Sequence, residues 1–273
     1  RQQLLAGVRP GRRGMTPLAA TIAGIGYWSE GLPDWAAARA FATTGTLPAD
    51  APAKPAPQLL PANERRRAPP SVLVALEVAQ AACRDAGLAP DSLPSVFIST
   101  HGDLGITDYM CATLAQAPTE VSPTKFHNSV HNAAAGYWTI GTGCMRTTTA
   151  ISAHRASFAQ GLLEALAQLA TDADAVLLVG YDTWATGLLS TMTHSEGLLG
   201  AALVLARTGP GPRITATLEE GEAGAGDGPL AMRGHANAMA PMLPLFDALA
   251  CGRDRVALHA GAGRHLQLDI AHG

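Results

Sequence analysis

The sequence predicts an α/β fold, and three kinds of stretch predict it. Val96–Thr100, apolar over its first three residues, and Ala175–Val179, apolar throughout, are short stretches of the kind that fill interior strands of a sheet. Arg155–Ala170 repeats apolar residues at helical spacing, at Phe158, Leu162, Leu163, Leu166 and Leu169. Thr147–Ala153, directly before that helix, is β-branched and small, which reads as another buried strand. A strand feeding straight into a helix leaves a tight turn, and Arg155 is expected at its apex. Short buried strands alternating with helices build an α/β sheet.

The other elements follow in chain order. Ala20–Tyr27 reads as a first strand with a glycine-bearing exit, and Trp35–Thr43 as a short alanine-rich helix. Residues 44–68 are rich in proline and alanine and end in Arg65, Arg66 and Arg67, which predicts an irregular surface arm. Ser71–Ala86 is a helix with an apolar stripe at Val72, Leu76, Ala79 and Cys83, and Gly87 stops it. The strand Val96–Thr100 ends in His101-Gly102-Asp103, and Asp108–Ala117 is predicted helical. Beyond Ala175–Val179, Gly197–Ala206 and Arg213–Glu219 read as neighbouring strands and Ala223–Gly234 as a glycine-rich loop. Ala240–Cys251 is a predicted helix. Val256–His259 and His265–Ile270, split by Gly261 and Gly263, form a closing hairpin.

Composition narrows the function. Of 273 residues, 47% are hydrophobic and only 15% charged, so the chain is core-rich with a sparsely charged surface that suits burial against a partner. A net charge of −3 gives nucleic-acid binding no electrostatic support. No window approaches the roughly 20 apolar residues of a membrane span. Cys83, Cys111, Cys144 and Cys251 are scattered without a CxxC, which predicts reduced, mostly core thiols in a cytoplasmic protein. The arginine-rich start lacks the apolar run of a targeting segment. Residues 1–14 are therefore expected to be a disordered lead-in or a mis-assigned start before a single domain over 15–273.

The stretch from Val121 to Gly180 resembles the β-ketoacyl synthases of the thiolase superfamily. Its landmarks are Ser122-Pro123, Asn132 with Ala135-Gly136, the strand 147–153, the helix 155–170, and Val176–Gly180. The ERRRAPP run, the SVFISTHGDLG strand and turn, and Ser195-Glu196-Gly197 leading into GAALVLA extend the resemblance over about residues 18–220. On that register Arg155 stands where the synthases carry their cysteine nucleophile. A guanidinium stays protonated and has no lone pair with which to attack a carbonyl. The two histidine motifs of the synthases' second half are also missing. Ala257–Gly263 only echoes the first of them, and a closing hairpin is the simpler reading. The FHNSVHNAAAGYW string and the ASFAQGLLEAL helix are similar to a short subgroup that pairs with active ketosynthases in aryl polyene and related pathways. The resemblance therefore implies a reduced thiolase-like fold: an N-terminal synthase half closed by a C-terminal hairpin.

Individual residues carry competing readings. Cys144 is the fallback nucleophile, but with no base beside it in sequence a structural thiol is favoured. His127 and His131, four apart, would share one helix face, as in some zinc sites. No third ligand is evident at workable spacing, so hydrogen bonding across a subunit interface is favoured and no metal or cofactor is expected. The resemblance implies that Lys125 and Phe126 line an acyl channel at that interface, together with His127, His131, Asn132 and Arg155. Plain packing for Phe126 and solvation for Lys125 stand equally open. Arg155 either plugs a vestigial acyl pocket or is an ordinary surface residue. Arg65–Arg67 is either a solvated cluster or a docking patch for an acidic carrier protein. Three functions follow. The first is a non-catalytic chain-length factor, paired with an active β-ketoacyl synthase and served by an acyl carrier protein. The second is a stand-alone acyltransferase with an atypical nucleophile. The third is a homodimeric acyl-binding protein.

Overall fold

A computed structural model describes residues 18–273, and the expected lead-in over residues 1–14 lies outside them. In chain order the strands are β1 (Leu18–Ser29), β2 (Ser95–Ile98), β3 (Thr148–Ile151), β4 (Ala175–Asp182), β5 (Leu199–Ala206), β6 (Arg213–Glu220), β7 (Arg255–Gly261) and β8 (Arg264–Ala271). The helices are α1 (Trp35–Thr44), the short α2 (Ala62–Arg65), α3 (Pro70–Ala86), α4 (Leu104–Gln116), α5 (Pro123–His127), α6 (Ala133–Thr142), α7 (Ser157–Thr171), α8 (Pro229–Gly234) and α9 (Leu243–Cys251).

All eight strands join one sheet in the order β3-β2-β4-β5-β1-β6-β8-β7. β3, β2 and β4 run parallel, and every pairing from β4 to β7 is antiparallel. Side chains alternate between the faces, as a pleated strand requires. Val96, Ile98, Val176 and Leu178 point into a core beneath α1, α7, α8 and α9. Phe97, Leu177, Val179 and Tyr181 point into a second core beneath α3 and α6. α3 lies directly on β1 because Gly24 and Gly26 have no side chains. A Cβ on Gly26 would run into the Val78 carbonyl, and one on Gly24 into the carbonyl of Ala82. α3 ends at Gly87, whose φ of 65° is the left-handed cap that glycine adopts without strain.

The structure departs from the sequence reading in several places. β3 is not buried but lies at the open end of the sheet, and its residues are half-buried or exposed. β-Branched residues suit an edge strand as well as an interior one, so composition could not separate the two. His127 and His131 do not share a helix: α5 ends at His127, and α6 begins only at Ala133 after a turn. α4 starts at Leu104, four residues before the expected position, because the Asp103 carboxylate caps the Ile106 amide at 3.0 Å. The end of the expected glycine-rich loop is the helix α8, which opens with Pro229 in its first turn. Cys111 and Cys251 are exposed, so only Cys83 and Cys144 are core thiols.

Candidate functional site

The parallel strands β2, β3 and β4 end on the same side of the sheet, where α/β folds place their ligands. One carboxylate organises that end. Asp182, the last residue of β4, is 1% exposed. It accepts hydrogen bonds from Ser99 Oγ at 2.5 Å, the Thr100 amide at 2.9 Å and the His101 amide at 3.4 Å. Burial pushes its pKa up to about 6, against the lowering effect of the Ser99, Thr100 and His101 hydrogen bonds. Ser99 Oγ also accepts from the Gly102 amide at 2.7 Å, and Ser152 Oγ donates to the Thr100 carbonyl at 2.8 Å. Asn237 donates to the Asp182 carbonyl at 3.4 Å and to that of Glu196 at 3.0 Å. The buried acid thus holds the segment after β2, to which Ser152 ties the end of β3, while Asn237 bonds the main chain of Asp182 itself.

The turn from β3 into α7 is strained where a nucleophile would sit. His154 carries a φ of 52°, one of only two non-glycine residues in the left-handed region among the described residues. Arg155 follows it, so the sharpest backbone lies one residue earlier than expected. Ser157 holds the turn by donating to the His154 carbonyl at 2.6 Å and accepting from the Ala153 amide at 2.9 Å.

His154 and Arg155 face a half-open cavity of about 700 Å³, to which four other histidines turn. His101 follows β2, His194 follows β4, His235 follows α8, and His259 lies on β7. His101 Nε2 lies 2.6 Å from Thr193 Oγ1. Its pKa is held down by burial first, then by the neighbouring His154 and His131. His259 pairs with Glu222 at 3.5 Å and His194 with Glu196 at 3.1 Å. Among the described residues no three histidine, cysteine or acidic groups converge as a metal-ligand set. No thiol is among the described residues that line the cavity. His259 belongs to the segment that echoes the first synthase histidine motif; it lies on the hairpin strand β7 and lines the chamber.

The expected site residues divide between two places. Arg155 lines the chamber. Cys144 does not; it is 4% exposed, and its Sγ donates to the Leu93 carbonyl at 3.5 Å. Lys125, Phe126, His127 and Asn132 are exposed on the surface formed by α5, the turn after it and the start of α6. Lys125 Nζ lies 5.4 Å from the centre of the Tyr109 ring, and the His127 ring stands edge-on to Tyr137 at 6.0 Å. Asn132 precedes α6 without a side-chain capping bond. His131 links the two places, since its Nε2 donates to the Ser99 carbonyl at 2.8 Å behind the chamber. Asp182, His101, His154 and Asn237 escaped the sequence reading. The one signal for them was polar residues directly after the apolar strands β2 and β4.

The model of the β-ketoacyl synthase N-terminal domain matches residues 35–266. The chain belongs to the β-ketoacyl synthase family. The match takes in β7 and the first three residues of β8. No curated protein matches in sequence. Among solved structures, the ketosynthase ApeO in complex with its chain length factor ApeC from Xenorhabdus doucetiae matches at 22% identity. The TM-score is 0.72, with 92% of this chain and 99% of that one covered. The ishigamide ketosynthase/chain length factor matches at 13% identity and a TM-score of 0.75, covering 93% and 99%. A β-ketoacyl synthase from Burkholderia phymatum STM815 matches at 16% identity and a TM-score of 0.58, covering 85% of this chain and 71% of that one. These likenesses show the reduced, thiolase-like ketosynthase fold.

Proposed function

We propose that this member of the family is a chain-length-factor-like subunit without condensing activity of its own. It would pair with an active β-ketoacyl synthase and help shape the tunnel for a carrier-bound acyl chain. One observation carries the reading: the strained turn at the strand ends holds His154 and Arg155, and among the described residues no thiol lines the chamber around it. An imidazole and a guanidinium provide no acyl-thioester intermediate, so the nucleophile, the acyl intermediate and the condensation would belong to the partner. Two of the structural neighbours bear on the partner. ApeO is in complex with its chain length factor, and another match is a type II ketosynthase in complex with its acyl-carrier protein. The surface is suited to pairing. β3 leaves one edge of the sheet open, and Phe126, Val130, Ile140 and Met145 are exposed on the segment leading to it.

Co-expression with an active β-ketoacyl synthase from the same source tests the proposal. The two chains are expected to co-purify as a one-to-one complex, and separate elution overturns the reading. Acyl-carrier or acyl-CoA donors are expected to leave this chain's mass unchanged. An acyl adduct that disappears in Cys144→Ala would establish the stand-alone acyltransferase instead.

A further inference from the structure

A second, smaller cavity of about 350 Å³ opens between the arm before α3, the start of α4, the helix α5 and the chain after β4. Its volume is at the lower end of small-molecule sites. Two of its lining side chains are nearly fully buried and each has an oxygen without a partner: Asn128 is 3% exposed with Oδ1 unpartnered, and Thr183 is 5% exposed with Oγ1 unpartnered. A buried polar group without a partner costs about 1–3 kcal/mol, so two in the lining of one cavity mark a place where a ligand could supply the missing bonds. The rim is cationic. Arg67 and Lys125 both line it, and neither takes part in an ion pair among the described residues. The acid in the wall, Asp103, is already occupied by Ser71 Oγ at 2.8 Å and the Ile106 amide at 3.0 Å.

The polarity of these groups defines the ligand. Asn128 Nδ2 is committed to the Thr124 carbonyl at 3.0 Å, so its free atom is an acceptor and needs a donor. A plain carboxylate brings no donor, and an uncharged alcohol makes no use of the two cations. We propose that this pocket binds a small hydroxy-carboxylate, with its carboxylate at Arg67 and Lys125 and its hydroxyl between Asn128 and Thr183. The exposed ring of Trp184 forms one side of the entrance. The inference does not depend on pairing with a synthase.

Lactate is the minimal probe, with propionate (no hydroxyl) and 1,2-propanediol (no carboxylate) as matched controls. Titration of the full chain, with its partner where the two co-purify, is expected to give saturable lactate binding by calorimetry. Both controls are expected to bind about tenfold more weakly, the size of one well-placed hydrogen bond or ion contact. Thr183→Val is expected to bring lactate down to the level of propionate while leaving propionate unchanged. Arg67→Gln combined with Lys125→Gln is expected to weaken both acids. Equal affinity for lactate and propionate, wild-type binding by the variants, or no saturable lactate binding would each overturn the proposal. If Thr183→Val fails to fold, the surface pair of substitutions decides the question.

Discussion

Asp182 shows what a single residue does here. A carboxylate taken out of water is costly in its charged form, and burial raises the group from its ordinary 3.8 to about 6. The sign of the pH effect follows. The folded chain holds this proton more tightly than the unfolded one, so stability falls as pH rises from about 4 to about 6 and is level above that range. The full effect is of the order of 3 kcal/mol from a shift of about two pH units. Thermal unfolding followed from pH 4.5 to 7.5 is expected to show this fall in the wild type and a flatter profile in Asp182→Asn. Little of this was legible in the sequence. An aspartate after an apolar run gives no sign of its hydrogen-bond partners, Ser99 and Thr100, which lie more than 80 positions away and meet it only through the pairing of β2 with β4. Arg155 was legible as an anomaly, because its chemistry is wrong for a nucleophile in any context. The strained position one residue earlier is a property of the backbone and has no sequence signature.

At the scale of elements, the contact between α3 and β1 is the most exacting. α3 is buried on most of its circumference, and Gly24 and Gly26 let its backbone approach the sheet closely. Gly26→Ala places its methyl against the Val78 carbonyl, and backbone on both sides cannot yield cheaply. A loss of about 3 kcal/mol or more is expected in denaturant unfolding. Gly136, inside α6 with open space around its missing Cβ, is the contrasting case. Gly136→Ala is expected to stabilise the isolated chain by about 0.5–1 kcal/mol through helix propensity alone. The elements themselves were largely readable, since period and capping fix α3, α7, β4 and β5 within a few residues. What escaped was anything set by neighbours. β3 carries the composition of an interior strand but stands at an edge, and His127 and His131 have helical spacing but are separated by a turn.

On the scale of the whole molecule, the uneven distribution of exposed apolar side chains matters most. Ile140 is 80% exposed and Met145 95%, on the segment that leads to the open edge at β3. Ile140→Glu together with Met145→Glu is expected to weaken association with a co-expressed ketosynthase at least tenfold while leaving this chain's own unfolding midpoint unchanged. Size-exclusion chromatography with light scattering measures the first and circular dichroism the second. An uncapped strand edge beside greasy side chains also has a consequence for the cell. If the chain pairs as proposed, copies made in excess of the partner would present an adhesive border to one another and to the proteolytic machinery, which would favour matched production of the two.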